Sequence, residues 1–122
     1  MADFQLRYVN LGTDDPAGLA RFYAGLFGWR VDRDDAEFQV VEDPAGGVGV
    51  SCQYEAHHAR PTWPAGADDQ QMQLHLEVQV DDLAGAVQHA LDCGATLAEF
   101  QPQDDVRVCL DPAGHPFCLY VE

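Results

Sequence analysis

Basic residues are scarce in this chain: six Lys and Arg stand against 21 Asp and Glu, a net charge of −15. Such a balance repels phosphate backbones and anionic headgroups, so nucleic acid and membrane surfaces are set aside as partners. Long apolar runs are missing as well, and none approaches the roughly 18 residues needed to span a bilayer. The opening MADFQLRYVN has no basic stretch followed by an apolar one, so it does not read as a signal peptide, and a cytoplasmic location is the default expectation. Cysteines are few, at 52, 93, 109 and 118, with no C-x-x-C pair. Their places in strand-like or helix-end segments predict buried, reduced thiols rather than a disulfide framework.

What the chain does have is a globular composition, 47% hydrophobic over 122 residues, enough for one domain with a real core and too little for two ordinary ones. It also repeats itself. The tetrapeptide Asp-Pro-Ala-Gly occurs at 15–18, 43–46 and 111–114, the last two copies standing at an offset of 68. Gln5-Leu6 and Gln73-Leu74 share that offset, and Asp14-Asp15 and Asp81-Asp82 lie 67 apart. Three matches at nearly one spacing identify an internal duplication rather than a solenoid or a coiled coil.

Each copy has the same parts. In LHLEVQV, Leu74, Leu76, Val78 and Val80 share one face while His75, Glu77 and Gln79 share the other, so a strand with one apolar and one polar face opens the module. A helix follows, capped by Asp15 with Pro16 at its first position, and in the second copy by Asp81 or Asp82. Leu19, Phe22, Tyr23 and Leu26 form the buried stripe of the first helix, and Leu83, Val87 and Ala90 or Leu91 that of the second. Gly28 and Gly94 are placed to end these helices. Three strands complete each module: WRVDR, EFQVV and GVSCQY, against TLAEF, VRVCL and PFCLYV. Asp, Pro and Gly stand at the first, second and fourth positions of a type I turn, which makes the DPAG at 43–46 and that at 111–114 each a hairpin joining the last two strands. The chain is therefore two βαβββ modules, 1–54 and 72–122, joined by a proline-containing linker at 55–71, within one domain over 1–122.

Paired βαβββ modules with the DPAGLARFYAGLFGW helix, the LHLEVQVDDLAGAV segment followed by GAT, and LDPAGHPFCL near the end resemble the vicinal oxygen chelate superfamily, which includes glyoxalase I, bleomycin-resistance proteins and extradiol dioxygenases. The likeness covers the whole chain. It implies an α+β fold in which the modules form a curved mixed sheet, a half-open barrel around a central cup, with the helices outside. It also implies ligands near the first and last strand of each module, mostly His and Glu in the enzymes, because a hard divalent ion needs imidazole and carboxylate donors that converge. Carried over position by position, His75 matches such a ligand. The equivalent place in the first module is Tyr8, if Val9 and Leu11 face the helix, or else Arg7. Cys118 stands where the metalloenzymes carry Glu, and its counterpart falls within Val50–Gln53, where Ser51 and Gln53 would face the cup and Gln53 is the one plausible ligand.

The expectation is thus a family metal site largely lost, with His75 and Gln53 as the remaining metal candidates, and no cofactor; a divalent metal is the alternative. Tyr8, Asn10, Gln53, Trp63, His75, Glu77, Cys118 and Tyr120 are the candidate ligand-binding residues, Trp63 because an aromatic ring in a proline-rich loop would expose apolar area unless it covered something. Trp29 is expected to pack beneath its helix. His57, His58, His89 and His115 read as surface residues. The functional reading is a homodimeric, bleomycin-resistance-type protein that holds a small aromatic or cationic molecule. The alternatives are a metal-dependent lyase, isomerase or dioxygenase of glyoxalase I type with Glu77 as its catalytic base, and a non-catalytic interaction scaffold.

Overall fold

A computed structural model describes residues 2–122, and within it the chain forms two compact units, Met1–His58 and Ala59–Glu122. Each is one βαβββ module with its own four-stranded mixed sheet.

In the first unit the order is β1 (Tyr8–Thr13), α1 (Pro16–Phe27), β2 (Arg30–Asp35), β3 (Phe38–Glu42) and β4 (Gly49–Tyr54). The sheet runs β1-β4-β3-β2, with β1 parallel to β4 and the remaining pairs antiparallel. Helix α1 starts where Asp15 accepts the Gly18 amide at 3.0 Å and Pro16 takes the first helical position, whose N–H has no intrahelical partner in any case. It stops at Gly28, which adopts φ 72°, a left-handed conformation that side chains with a β-carbon resist. Leu19, Phe22 and Tyr23 are buried at the predicted spacing, together with Leu11, Val41, Val50 and Cys52 from the sheet. Trp29 is half-buried and stacks on Phe27, ring centres 4.4 Å apart.

The second unit repeats the plan with β5 (Leu76–Gln79), α2 (Leu83–Cys93), β6 (Thr96–Leu97), β7 (Val106–Leu110) and β8 (Pro116–Tyr120), in the order β5-β8-β7-β6. Of the two candidate caps it is Asp82 that accepts from Gly85 N, at 3.1 Å. Phe117, Leu119, Val108, Cys109 and Ala90 are buried. Both sheets are open, with β1 and β2, or β5 and β6, as edges.

The DPAG turns at 43–46 and 111–114 both form as their residues dictate. Gly46 N donates to Asp43 O at 3.0 Å and Gly114 N to Asp111 O at 2.9 Å. The aspartate carboxylates tie the turns further: Asp43 accepts from Ala45 N and Gly47 N, Asp111 from Ala113 N and His115 N. Residues 59–71 of the linker belong to the second unit, where Arg60 Nη1 donates to Pro112 O at 2.6 Å and lies across Gly114 of the second turn.

Two expectations need correction. The strand read from TLAEF shrinks to Thr96–Leu97, because the Gln101 side chain takes over the next pairing positions. Its Nε2 donates to Ala98 O and Val108 O at 2.7 and 3.0 Å, and its Oε1 accepts from Val108 N at 2.9 Å. The thiols are not all buried either: Cys52 and Cys109 are, while Cys93 and Cys118 are half-exposed. Cys93 closes a helix whose outer side faces water, and Cys118 faces away from α2. Among the described residues no helix is long and apolar enough to cross a membrane.

Candidate functional site

Strand alternation sorts each sheet into a helix-facing side and a polar side. In the first unit Leu11 and Thr13 are buried while Tyr8 and Asn10 are exposed, so Tyr8 rather than Arg7 lies on the polar side. Register places Asn10 opposite Ser51 and Gly12 opposite Gln53. This face is satisfied by its own hydrogen bonds. Tyr8 Oη donates to Glu42 Oε2 at 2.6 Å, and Arg7 Nη2 bonds Glu42 Oε1 at 2.8 Å with its guanidinium 5.7 Å from the Tyr8 ring centre. Asn10 Nδ2 donates to Ser51 Oγ at 2.8 Å, and Gln53 Nε2 to Glu55 Oε1 at 3.3 Å. The hydrogen bond to Glu42 holds the Tyr8 hydroxyl above its ordinary pKa, since the phenolate would lose that donor role and face a carboxylate.

The second unit places Glu77 opposite Cys118 and Gln79 opposite Tyr120. His75, one residue before β5, brings its Nδ1 to 3.8 Å from Cys118 Sγ. His75, Glu77, Cys118 and Tyr120 line a cavity of about 410 Å³ with Gln103, Asp105, Val106, Val121 and Glu122. Its walls carry three carboxylates, from Glu77, Asp105 and Glu122, and no Arg. Partial burial and the nearby Glu77 carboxylate both push the Cys118 thiol above its ordinary pKa, and burial pushes Cys109 up to about 11. Cys118 is thus a protonated thiol near neutral pH, poorly suited to attack as a nucleophile. A larger concavity of about 860 Å³ surrounds the start of α2, but its Asp82 carboxylate is occupied by the Gly85 amide.

Four of the eight candidates, His75, Glu77, Cys118 and Tyr120, therefore meet in one cavity. Tyr8, Asn10 and Gln53 share the polar side of the first sheet. Trp63 does not line that cavity; its ring centre lies 5.9 Å from that of Phe100. Sequence reasoning passed over Asp105 and Glu122, which enter the cavity from the ends of β7 and β8, and Glu42, which organises Tyr8 and Arg7. Acidic residues at strand ends are common in so acidic a chain, and only pairing across the sheet singles these out.

The donors do not fit the hard divalent ion of the family's enzymes. Among the described residues no three His, Cys, Asp or Glu side chains are grouped to hold a metal. Of the two that face each other in the cavity, one is the soft Cys118 thiol, where a carboxylate would be needed.

No curated protein matches the chain in sequence. Solved structures do match its fold. A glyoxalase/bleomycin resistance protein/dioxygenase family enzyme from Burkholderia phytofirmans PsJN is 20% identical with a TM-score of 0.74, covering 97% of this chain and 98% of that one. Fosfomycin resistance protein FosX from Mesorhizobium loti is 14% identical with a TM-score of 0.69, covering 100% and 94%. The bleomycin-binding protein of Streptomyces verticillus, solved with copper(II)-bleomycin, is 15% identical with a TM-score of 0.65, covering 100% and 99%. At these identities the likeness concerns the fold. The family itself is shown by a sequence model, the glyoxalase-like domain, which matches residues 8–120. With its two βαβββ modules and their open mixed sheets, the chain belongs to the glyoxalase-like domain family, within the glyoxalase/bleomycin resistance/dioxygenase (vicinal oxygen chelate) superfamily.

Proposed function

We propose that this protein binds a small, cationic, partly aromatic molecule in the cavity of its second module, without the hard metal ion that the family's enzymes use. The observation that carries the reading is the lining of that cavity: Glu77, Asp105 and Glu122 supply negative charge, Val106 and Val121 supply apolar surface, and Tyr120 supplies a ring. A cation bearing N–H donors would form charge-assisted hydrogen bonds with those carboxylates, and its ring could lie against Tyr120. The net charge of −15 adds a long-range attraction for the same class of ligand. The Streptomyces verticillus relative, which binds bleomycin, shows that this fold can serve as a binding protein.

Calorimetric titration with benzamidine and phenethylammonium, each paired with a neutral analogue of the same shape, tests the proposal. Saturable binding of the cations is expected, with the neutral analogues weaker by about tenfold or more and Glu77→Gln closing most of that gap. Failure of every cation to saturate would sink the reading. Elemental analysis of untagged protein separates it from the metalloenzyme alternative, which requires about one divalent ion per chain.

A further inference from the structure

The thiol of Cys118 and the imidazole of His75 come from two hydrogen-bonded strands, β8 and the residue just ahead of β5, and meet with Sγ 3.8 Å from Nδ1 at the wall of an open cavity. We infer that this pair is a binding site for a thiophilic cation of low coordination number, of the copper(I) type, held between Cys118 Sγ and His75 Nδ1. The spacing supports it. With metal–sulfur and metal–nitrogen bonds of about 2.3 and 2.0 Å, donors on one ion stand roughly 3.5 Å apart at a tetrahedral angle and about 4.3 Å apart when collinear. The observed 3.8 Å lies between these limits, so an ion needs only a side-chain adjustment of a few tenths of an ångström.

The number of donors supports it too. Hard divalent ions take four to six ligands, and the described residues group no three metal-binding side chains. A soft ion that is satisfied by thiolate and imidazole needs no third. Glu77, registered opposite Cys118, adds an adjacent negative charge without being required as a ligand. On binding, the sulfur electron pair forms the metal–sulfur bond and the thiol proton leaves to solvent, so nothing is oxidised or reduced.

Another His–Cys pair has a similar spacing: Cys93 Sγ lies 3.7 Å from His89 Nε2 on the last turns of α2. It sits on the outer side of a helix and lines none of the cavities described, and it supplies the control. The inference shares its cavity with the proposed function and rests on that reading only in taking the cavity as open to ligands.

Silver(I), a redox-inert stand-in for copper(I), is titrated into the otherwise intact Cys93→Ser protein against a competing chelator, and calorimetry and the thermal unfolding midpoint are followed. One tight silver per chain and a raised midpoint are expected, with zinc(II) giving a much smaller shift. His75→Ala and His75→Gln should each weaken silver by about tenfold or more, and Cys118→Ser should abolish the tight site. Silver bound as tightly by both His75 variants would reduce the site to a lone thiol and overturn the inference, as would a tight site that survives Cys118→Ser. Circular dichroism confirms that each variant folds, and Cys118→Ala replaces Cys118→Ser if the latter does not. Benzamidine titration of the Cys93→Ser parent separates the two readings: a tight silver site without benzamidine binding leaves the metal site standing, and benzamidine binding without a tight silver site leaves the binding function standing.

Discussion

Gly49 is buried at the start of β4, directly opposite Tyr8. A β-carbon built there would meet the Val41 carbonyl oxygen at 2.5 Å and the Tyr8 ring at 3.1 Å. The first of these is backbone in a paired strand and has nowhere to go. Gly49→Ala should therefore cost about 1–3 kcal/mol, read as a lower urea midpoint at an unchanged m-value. It should also loosen the Tyr8–Glu42 hydrogen bond, which a shift in the Tyr8 ring resonances would report. At this scale the sequence was informative wherever chemistry is local. The capping aspartates, Gly28 and the two DPAG turns each act within four residues, so their types and spacing suffice to place them. The exposure of Cys118 was not legible, because it depends on which face of β8 meets α2.

Between elements, Gln101 does the work of a strand. Its side-chain amide occupies the Ala98 and Val108 carbonyls and the Val108 N–H, and so ends β6 after two residues. Gln101→Ala would leave Val108 N without that partner, a loss of about 1–3 kcal/mol for a half-buried site. Amide exchange provides the check. Val108 should lose protection by tenfold or more while Val106, which pairs with Tyr120 on the other side, keeps most of its own. Nothing in TLAEF announces this, since the apolar alternation of the segment is that of an ordinary strand and the competing amide lies beyond it. The opening strand shows a milder form of the same effect. Pairing starts at Leu76 rather than Leu74, which is left 50% exposed, because β8 offers its first registered partner to Leu76 at Phe117.

At the scale of the whole molecule the charge of −15 dominates, and every basic residue is an arginine. Several of these are spent internally: Arg7 on Glu42, Arg60 on Pro112 O, and Arg107 on the carbonyls of Gln103 and Asp104. A field of this kind should steer cations inward, and screening should remove the effect as the Debye length falls from about 30 Å at 0.01 M salt to about 8 Å at 0.15 M. Stopped-flow measurement should then show the association rate of benzamidine dropping severalfold across that range, with dissociation little changed. An association rate indifferent to salt would mean that the distributed charge serves only to keep chains apart.

The duplication, both helices with their caps and stops, the hairpin turns and the α+β modules were readable from the order of residues, because periodicity and turn chemistry are written in short stretches and an offset of 68 aligns two copies of them. The family resemblance followed from the same stretches. Only the folded sheets decided which polar residues meet. Parallel pairing of β5 with β8 joins positions some 41 residues apart, and a slip of one residue would turn Cys118 from the cavity toward the helix. That register, rather than any local signal, gathers His75, Glu77, Cys118 and Tyr120 around one cavity, while the equivalent face of the first module closes on itself through Glu42 and Ser51.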